Sequence, residues 1–162
     1  MRLIKKNMTL LAMLTALTVV LARLFIFPVP VTKGYVNFLE VGIYVSSMLL
    51  GGPAGAVVGG ISGGILDLIL GYPQWLPFSA VIHGTQGYVA GRFLNGTSFK
   101  KRVVYLLLAS LVMVVGYFFA TWLLYGWVAA VASIIGNVIQ NSFGLIVSLF
   151  LMKHLDKLKL IK

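Results

Sequence analysis

Long apolar runs alternate along the chain with short breaks that carry glycine, proline or basic residues. A helix needs about 20 mostly apolar residues to cross the hydrocarbon core of a bilayer. The runs predict helices that cover Met8 to Phe27, Phe38 to Leu50, Ala54 to Leu70, Phe78 to Leu94, Val103 to Leu124 and Val128 to Met152. A basic loop from Asn95 to Arg102 separates the fourth from the fifth. We therefore predict one all-α transmembrane domain of six helices over residues 1–162.

Composition agrees with a membrane protein. Hydrophobic residues make up 60% of the chain and charged residues 10%, whereas a soluble domain carries about 25% charged residues. The net charge of +10 comes from basic residues that cluster beside the apolar runs. This placement is typical of cytoplasmic flanks of membrane helices, so it argues against a nucleic-acid partner. The absence of cysteine excludes disulfides and thiolate metal sites.

The distribution of Lys and Arg predicts the orientation. With both termini in the cytoplasm, eleven basic residues lie inside and only Arg23 and Lys33 lie outside. Cytoplasmic segments collect Lys and Arg, so we predict cytoplasmic N- and C-termini. The outer face then carries the loops Pro28 to Asn37, Gly71 to Pro77 and Tyr125 to Trp127. Their aromatic residues suit either ligand stacking or an interfacial aromatic belt.

Glycines concentrate in the third and fourth predicted helices. Gly51, Gly55, Gly59 and Gly63 recur at every fourth residue, and small residues at this spacing let membrane helices approach closely. We therefore predict that these two helices pack tightly at the centre of the bundle. Neither G-x-x-x-x-G-K-[ST] nor G-x-G-x-x-G occurs, so the chain is not expected to use ATP by itself.

Polar side chains within the predicted helices are costly in a membrane and therefore mark candidate functional residues. They gather toward the outer ends of the last three helices, beneath the outer loops, where a few polar groups and aromatic walls can hold a small ligand. The candidate substrate-binding residues are Asn37, Gln74, Trp75, Ser79, His83, Gln86, Tyr117, Thr121, Asn137, Gln140 and Asn141. The alternative for the histidine and the amides is hydrogen bonding between helices.

Three charged residues, Arg23, Glu40 and Asp67, lie near the outer ends of the first three predicted helices. A charge in the membrane needs a partner. We expect an ion pair of Arg23 with Asp67 or Glu40 that braces the bundle. The alternative is recognition of a charged group on the substrate.

The stretch from Thr32 to Arg92 resembles the substrate-binding S subunits of energy-coupling-factor (ECF) vitamin importers, in the riboflavin-type or hydroxymethylpyrimidine-type group. The matching motifs are Gly34 to Asn37 (GYVN), Leu49 to Ala56 (LLGGPAGA), Asp67 to Trp75 (DLILGYPQW), Ile82 to Gly87 (IHGTQG) and the pair Gly91 and Arg92. In the first helix, Ala12 and Ala16 form an A-x-x-x-A pattern similar to the one with which S subunits dock on their T subunit. The alternative for these alanines is packing inside the bundle.

The resemblance implies an S subunit in a bacterial-type plasma membrane that binds a vitamin or precursor at its outer face. It implies association with a membrane-embedded T (coupling) subunit and two cytoplasmic ATPases. ATP use by these partners would make the S subunit topple and release its substrate inward, while this chain binds no cofactor or metal itself.

Pyridoxine or hydroxymethylpyrimidine is the preferred substrate, because the low acid count and the aromatic and amide residues suit a neutral flat heterocycle. Riboflavin, pantothenate and folate stay open. An enzyme is disfavoured, because the sequence lacks a nucleophile with a base, a carboxylate-rich helix and a metal motif. A self-sufficient small transporter or channel also stays open, as does a scaffold that binds no ligand.

Overall fold

The computed structural model describes residues 8–29, 34–92 and 99–157. These residues form six α-helices: α1 (Met8–Leu24), α2 (Leu39–Leu50), α3 (Gly52–Leu70), α4 (Leu76–Ala90), α5 (Phe99–Tyr125) and α6 (Trp127–Lys157). The strands β1 (Phe27–Val29) and β2 (Gly34–Val36) form an antiparallel hairpin, and a 3-10 helix covers Pro73–Trp75. The predicted all-α architecture of six helices is confirmed, with the small hairpin added.

Three of the described helices, α3, α5 and α6, are long and apolar enough to cross a bilayer on their own. The apolar helices α1 and α2 are shorter. With 12 residues, α2 rises only about 18 Å, less than a hydrocarbon core of about 30 Å. Eight of those residues are buried, so α2 is an inner helix that the longer ones surround.

The connection between α1 and α2 differs from the prediction. α1 ends at Leu24 rather than Phe27, because Phe27–Val29 pairs with Gly34–Val36 in the hairpin. The ring of Phe38, just after the hairpin, packs edge-on against Phe143 of α6 with centroids 5.3 Å apart. The hairpin and the residue after it therefore pack against α6. The sequence had predicted a loop for this segment. The predicted outside charge Lys33 lies outside the described residues.

Two helix ends extend beyond the apolar runs that predicted them. α5 begins at Phe99 instead of Val103, so part of the predicted basic loop is helical. α6 continues to Lys157 rather than ending at Met152. Backbone hydrogen bonding does not require apolar side chains, so the helices continue into the basic flanks. The predicted end of the fourth helix, Leu94, lies outside the described residues.

Two helices begin before a proline rather than after it. α3 starts at Gly52 with Pro53 in its first turn, and α4 starts at Leu76 with Pro77 in its first turn. Proline suits this position because its missing N–H has no helical partner there. Each predicted start was therefore two residues late.

The seam between α3 and α4 is lined by glycine. A Cβ placed on Gly55 would lie 2.9 Å from the carbonyl carbon of Gly87, and a Cβ on Gly59 would lie 2.9 Å from that of His83. Such contacts leave no space for a side chain, so only glycine permits this backbone approach. The predicted tight packing of these two helices is confirmed.

The expected ion pair of Arg23 is wrong. Arg23 is exposed, whereas Glu40 is fully buried and accepts a hydrogen bond from Gln140 of α6. Among the described residues, the basic side chain within 4.0 Å of the Glu40 carboxyl group is His83, and no ion pair joins Arg23 to Glu40 or Asp67. The prediction failed because Glu40 lies on the face of α2 that is turned toward α6.

Candidate functional site

A cavity of about 370 Å³ lies at one end of the bundle. This end, which we call the hairpin end, carries the hairpin, the segment 71–75 and the turn between α5 and α6 at 125–127. Seven of the eleven candidate residues line the cavity: Asn37, Trp75, His83, Tyr117, Thr121, Asn137 and Gln140. The structure therefore brings together candidates from the first loop, from the 3-10 helix and from the last three helices.

Nine further residues complete the lining, and of these Glu40 and Asp67 had been considered for substrate recognition, as the alternative to an ion pair. The nine residues are Leu39, Glu40, Gly63, Asp67, Tyr72, Met113, Ala132, Ser133 and Gly136. The apolar and small members carry no polar signal in the sequence. The spacing of four residues between Ser133 and Asn137 places them on one helix face, and this spacing could have found the serine.

Gly63 makes room for His83. A Cβ on Gly63 would lie 2.6 Å from Cδ2 of the imidazole ring, too close for a side chain. The glycine spacing predicted close packing at this position, but it did not show that the neighbour is a binding candidate. The glycine seam therefore also sets the position of the histidine.

An aromatic wall closes one side of the cavity. The ring of Trp75 contacts Tyr117 with centroids 5.7 Å apart and Tyr125 with centroids 5.8 Å apart. Gln74 does not line the cavity: it is exposed and donates a hydrogen bond to the Tyr125 hydroxyl at 3.1 Å. Gln74 thus joins the 3-10 helix to α5, and Trp75 supplies the flat surface.

The side chain of Gln86 has a fixed orientation beneath the cavity. Its Nε2 donates to the Tyr44 hydroxyl at 3.0 Å and to Oδ1 of Asn141 at 3.1 Å. Asn141 in turn donates from Nδ2 to the sulfur of Met113 at 2.8 Å. Gln86 and Asn141 therefore belong to a buried network between helices rather than to the cavity lining.

The fixed Gln86 determines the tautomer of His83. Nδ1 of His83 lies 2.7 Å from Oε1 of Gln86, and an amide oxygen only accepts, so the proton is on Nδ1. Nε2 then accepts from the Tyr117 hydroxyl at 2.9 Å. The Tyr117 hydroxyl also forms a hydrogen bond with the Ser79 hydroxyl at 2.6 Å, so Ser79 supports the lining from behind.

Gln140 ties α6 to the segment between β2 and α2. Its Nε2 donates to Oδ1 of Asn37 at 2.9 Å and to Glu40, and its Oε1 accepts from the Asn37 backbone N–H at 2.9 Å. The side-chain amide of Asn137, one turn earlier, forms no hydrogen bond with the rest of the described chain. It lines the cavity with free donors and a free acceptor.

Residues 2–157 match the model of a family described as ECF-type riboflavin transporter, S component. The chain belongs to this family. The bundle also superposes on a solved structure of the S component of a bacterial ECF transporter with a TM-score of 0.78. That alignment covers 95% of this chain and 97% of the other at 22% identity, and it shows that the chain has the S-component fold.

Two relatives match at higher identity. The thiamine precursor transporter HmpT of Lactococcus lactis subsp. cremoris (strain MG1363) is 40% identical over 157 residues, which are 94% of this chain and 89% of the relative. An uncharacterized protein of Pyrococcus woesei is 36% identical over 121 residues, which are 74% of this chain and 81% of the relative.

Membership of this family settles the broad class of the protein. S components are membrane proteins of transporters, so the expectation that this chain is not an enzyme is confirmed. S components bind no cofactor of their own. Within residues 8–29, 34–92 and 99–157, no group of three or more His, Asp or Glu residues could hold a metal ion.

Proposed function

We propose that this chain is the subunit that captures a thiamine precursor for an ECF importer, with hydroxymethylpyrimidine as the preferred ligand. The observation that carries the proposal is the 40% identity, over 94% of the chain, to a thiamine precursor transporter. A cavity of about 370 Å³ is in the usual size range for small-molecule sites. Its aromatic wall and free Asn137 amide suit a flat ring with hydrogen-bonding groups. Pyridoxine, a flat ring of similar size, is the second candidate.

The candidate residues divide into two roles in this proposal. Those that line the cavity contact the ligand: Asn37, Trp75, His83, Tyr117, Thr121, Asn137 and Gln140. Those outside it hold the lining in place: Gln74, Ser79, Gln86 and Asn141. The hairpin lies beside the cavity and is fastened to α6 through Asn37 and Gln140.

Transport then needs partners, which we propose to be a membrane-embedded T subunit and two cytoplasmic ATPases that use ATP. In this arrangement the chain lies in the plasma membrane with both termini in the cytoplasm, so the hairpin end faces outward. ATP use by the partners makes the S subunit topple and deliver the ligand inward. The whole chain acts as a single transmembrane binding domain.

An apolar groove between α1 and α3 supports the docking proposal. It has a volume of about 610 Å³, and its lining includes Ala12 and Ala16 together with Val57 and Ile61 of α3. Both alanines are exposed, so packing within the bundle does not use them. Small residues four apart allow close approach of another membrane helix. We therefore assign the groove to an apolar helix of the T subunit.

The test is to purify the chain in lipid nanodiscs and determine by mass spectrometry which small molecule copurifies with it. Titration calorimetry of the emptied protein with hydroxymethylpyrimidine and with pyridoxine then compares the two candidates. We expect hydroxymethylpyrimidine to copurify and to bind more tightly. A different vitamin in the mass spectrum, with no heat from hydroxymethylpyrimidine, contradicts the proposal.

A further inference from the structure

Two carboxyl groups line the cavity, and no Lys or Arg is among the described residues that line it. They belong to Glu40 of α2, which is fully buried, and to Asp67 of α3. An uncompensated acid inside a membrane protein is costly, which makes each of these groups a candidate for function. The cavity therefore has an acidic lining that the bundle itself does not neutralise.

Only one of the two oxygens of the Glu40 carboxyl group has a hydrogen-bond partner among the described residues. Its Oε2 accepts a hydrogen bond from Gln140, but its Oε1 is buried without a hydrogen-bond partner among the described residues. Nδ1 of His83 lies 4.0 Å from Oε1, which is beyond hydrogen-bonding distance. The Nδ1 proton is directed at Gln86 instead. Oε1 is thus a buried hydrogen-bond acceptor that has no donor among the described residues.

The carboxyl group of Asp67 also has an unpaired oxygen. Its Oδ2 is also buried without a hydrogen-bond partner in the described part of the chain. Two hydroxyl groups of the lining, Thr121 and Ser133, donate to the backbone oxygens of Tyr117 and Ala130. Buried polar atoms are nearly always paired, so each acid has an oxygen that is available to a donor on a ligand in the cavity.

We propose that Glu40 accepts a hydrogen bond from the amino group of an amino-substituted heterocycle, and that Asp67 accepts from a second donor on the same ligand. An amino group on an aromatic ring suits an acceptor-rich site because it has two N–H donors and a lone pair delocalised into the ring. A ligand carboxylate has only acceptor atoms, so it could not supply a donor to either unpaired oxygen. Glu40 therefore selects an amine, and both acids disfavour an anionic vitamin.

This inference rests on the proposed function and makes it more specific. Hydroxymethylpyrimidine carries a ring amino group, whereas pyridoxine carries hydroxyl groups only, and pantothenate carries a carboxylate. The preference among these substrates is thereby assigned to Glu40. Asp67 adds affinity without distinguishing an amine from a hydroxyl.

The experiment compares hydroxymethylpyrimidine with its deamino analogue, in which hydrogen replaces the amino group. Calorimetry uses the full chain in nanodiscs as wild type, Glu40→Gln and Asp67→Asn, with Thr85→Ala on the exposed side of α4 as the matched control. Wild type and Thr85→Ala should prefer the amino ligand by about 10- to 100-fold, the range that corresponds to leaving a buried acceptor without its donor. In Glu40→Gln this preference should fall to near one.

Glu40→Gln is a sharp test because the amide has the same size as the carboxyl group. When its oxygen accepts from Gln140, its NH₂ group takes the place of Oε1, so a donor faces the donor of the ligand. Asp67→Asn should weaken both ligands equally. Each variant is accepted only if it elutes as a single species in size-exclusion chromatography.

The outcomes separate the inference from the proposed function. If wild type binds both ligands equally, the inference is overturned while capture of a thiamine precursor stands, and this comparison needs no variant to fold. A preference that survives in Glu40→Gln also overturns it. If hydroxymethylpyrimidine does not bind at all, the proposed function fails. The copurifying molecule then decides the inference: an amine supports it, and a carboxylate overturns it.

Discussion

Asn137 and Asn141 lie one helical turn apart on α6 and have different surroundings. The Asn137 amide lines the cavity and has no hydrogen bond to the rest of the described chain. The Asn141 amide is buried and bonds with Gln86, Tyr44 and Met113. The same side chain is therefore available to a ligand at one position and bonded within the bundle at the next.

Alanine at these two positions separates binding from stability. We expect Asn137→Ala to weaken hydroxymethylpyrimidine binding about 10-fold, the loss of one good hydrogen bond, with no change in melting temperature. We expect Asn141→Ala to destabilise the fold by about 1–3 kcal/mol, because it leaves buried partners unsatisfied. Calorimetry and thermal unfolding in the same nanodiscs measure both quantities.

Each variant is the control for the other. The contradicting result is a lower melting temperature for Asn137→Ala with unchanged affinity, which would place its amide in the helix packing. Wild-type stability of Asn141→Ala would show that its hydrogen bonds contribute little.

At the residue scale, the sequence predicted where polar groups gather but not which of them face the ligand. The cost of polarity within the helices, together with the positions of the outer loops, identified seven cavity residues and four supporting ones without separating the two groups. Depth along a helix and the direction of each side chain separate the two groups, and both depend on how the helices pack. Glu40 was assigned to the wrong partner for the same reason.

The first helix presents its exposed alanines, Ala12 and Ala16, to the groove. Ala16→Trp should fill the groove and block helix docking, so uptake should fall to the level without a T subunit while ligand binding stays unchanged. Leu17→Trp is the matched control, because Leu17 is 52% exposed but does not line the groove. Uptake of labelled ligand by cells that express the full complex is the measurement.

The docking proposal fails if both tryptophan variants take up ligand equally well. A loss of ligand binding in Ala16→Trp would also count against it, since the groove and the cavity have no lining residue in common. Ala12→Trp, one turn earlier in the same groove, should behave as Ala16→Trp does.

At the element scale, the helices were predictable and the hairpin was not. Helices of 12 to 31 residues with mostly apolar side chains produce long runs in the sequence. The strands have three residues each, which is too short for an alternating pattern to appear. Their pairing depends on a contact with α6, through Phe38 and Phe143, that is distant in the sequence.

The orientation of the whole molecule is a separate prediction from its fold. The chain has no cysteine, so single cysteines can be introduced without background labelling. Gln74→Cys at the hairpin end should react with a membrane-impermeant maleimide in intact cells. Lys153→Cys, exposed near the other end of α6, should react only after permeabilisation. The reverse pattern would point the cavity at the cytoplasm and end the import proposal.

In the described chain, α3 is the one helix that contributes to both the cavity and the groove. Gly63 and Asp67 belong to the cavity, whereas Val57, Ile61 and Ile65 belong to the groove. Mutations in α4, α5 or α6 can thus alter the cavity during evolution while the groove that we propose for the T subunit keeps its shape. Under that proposal, a new nutrient can be acquired by gene duplication and drift at a few positions, without a matching change in the T subunit.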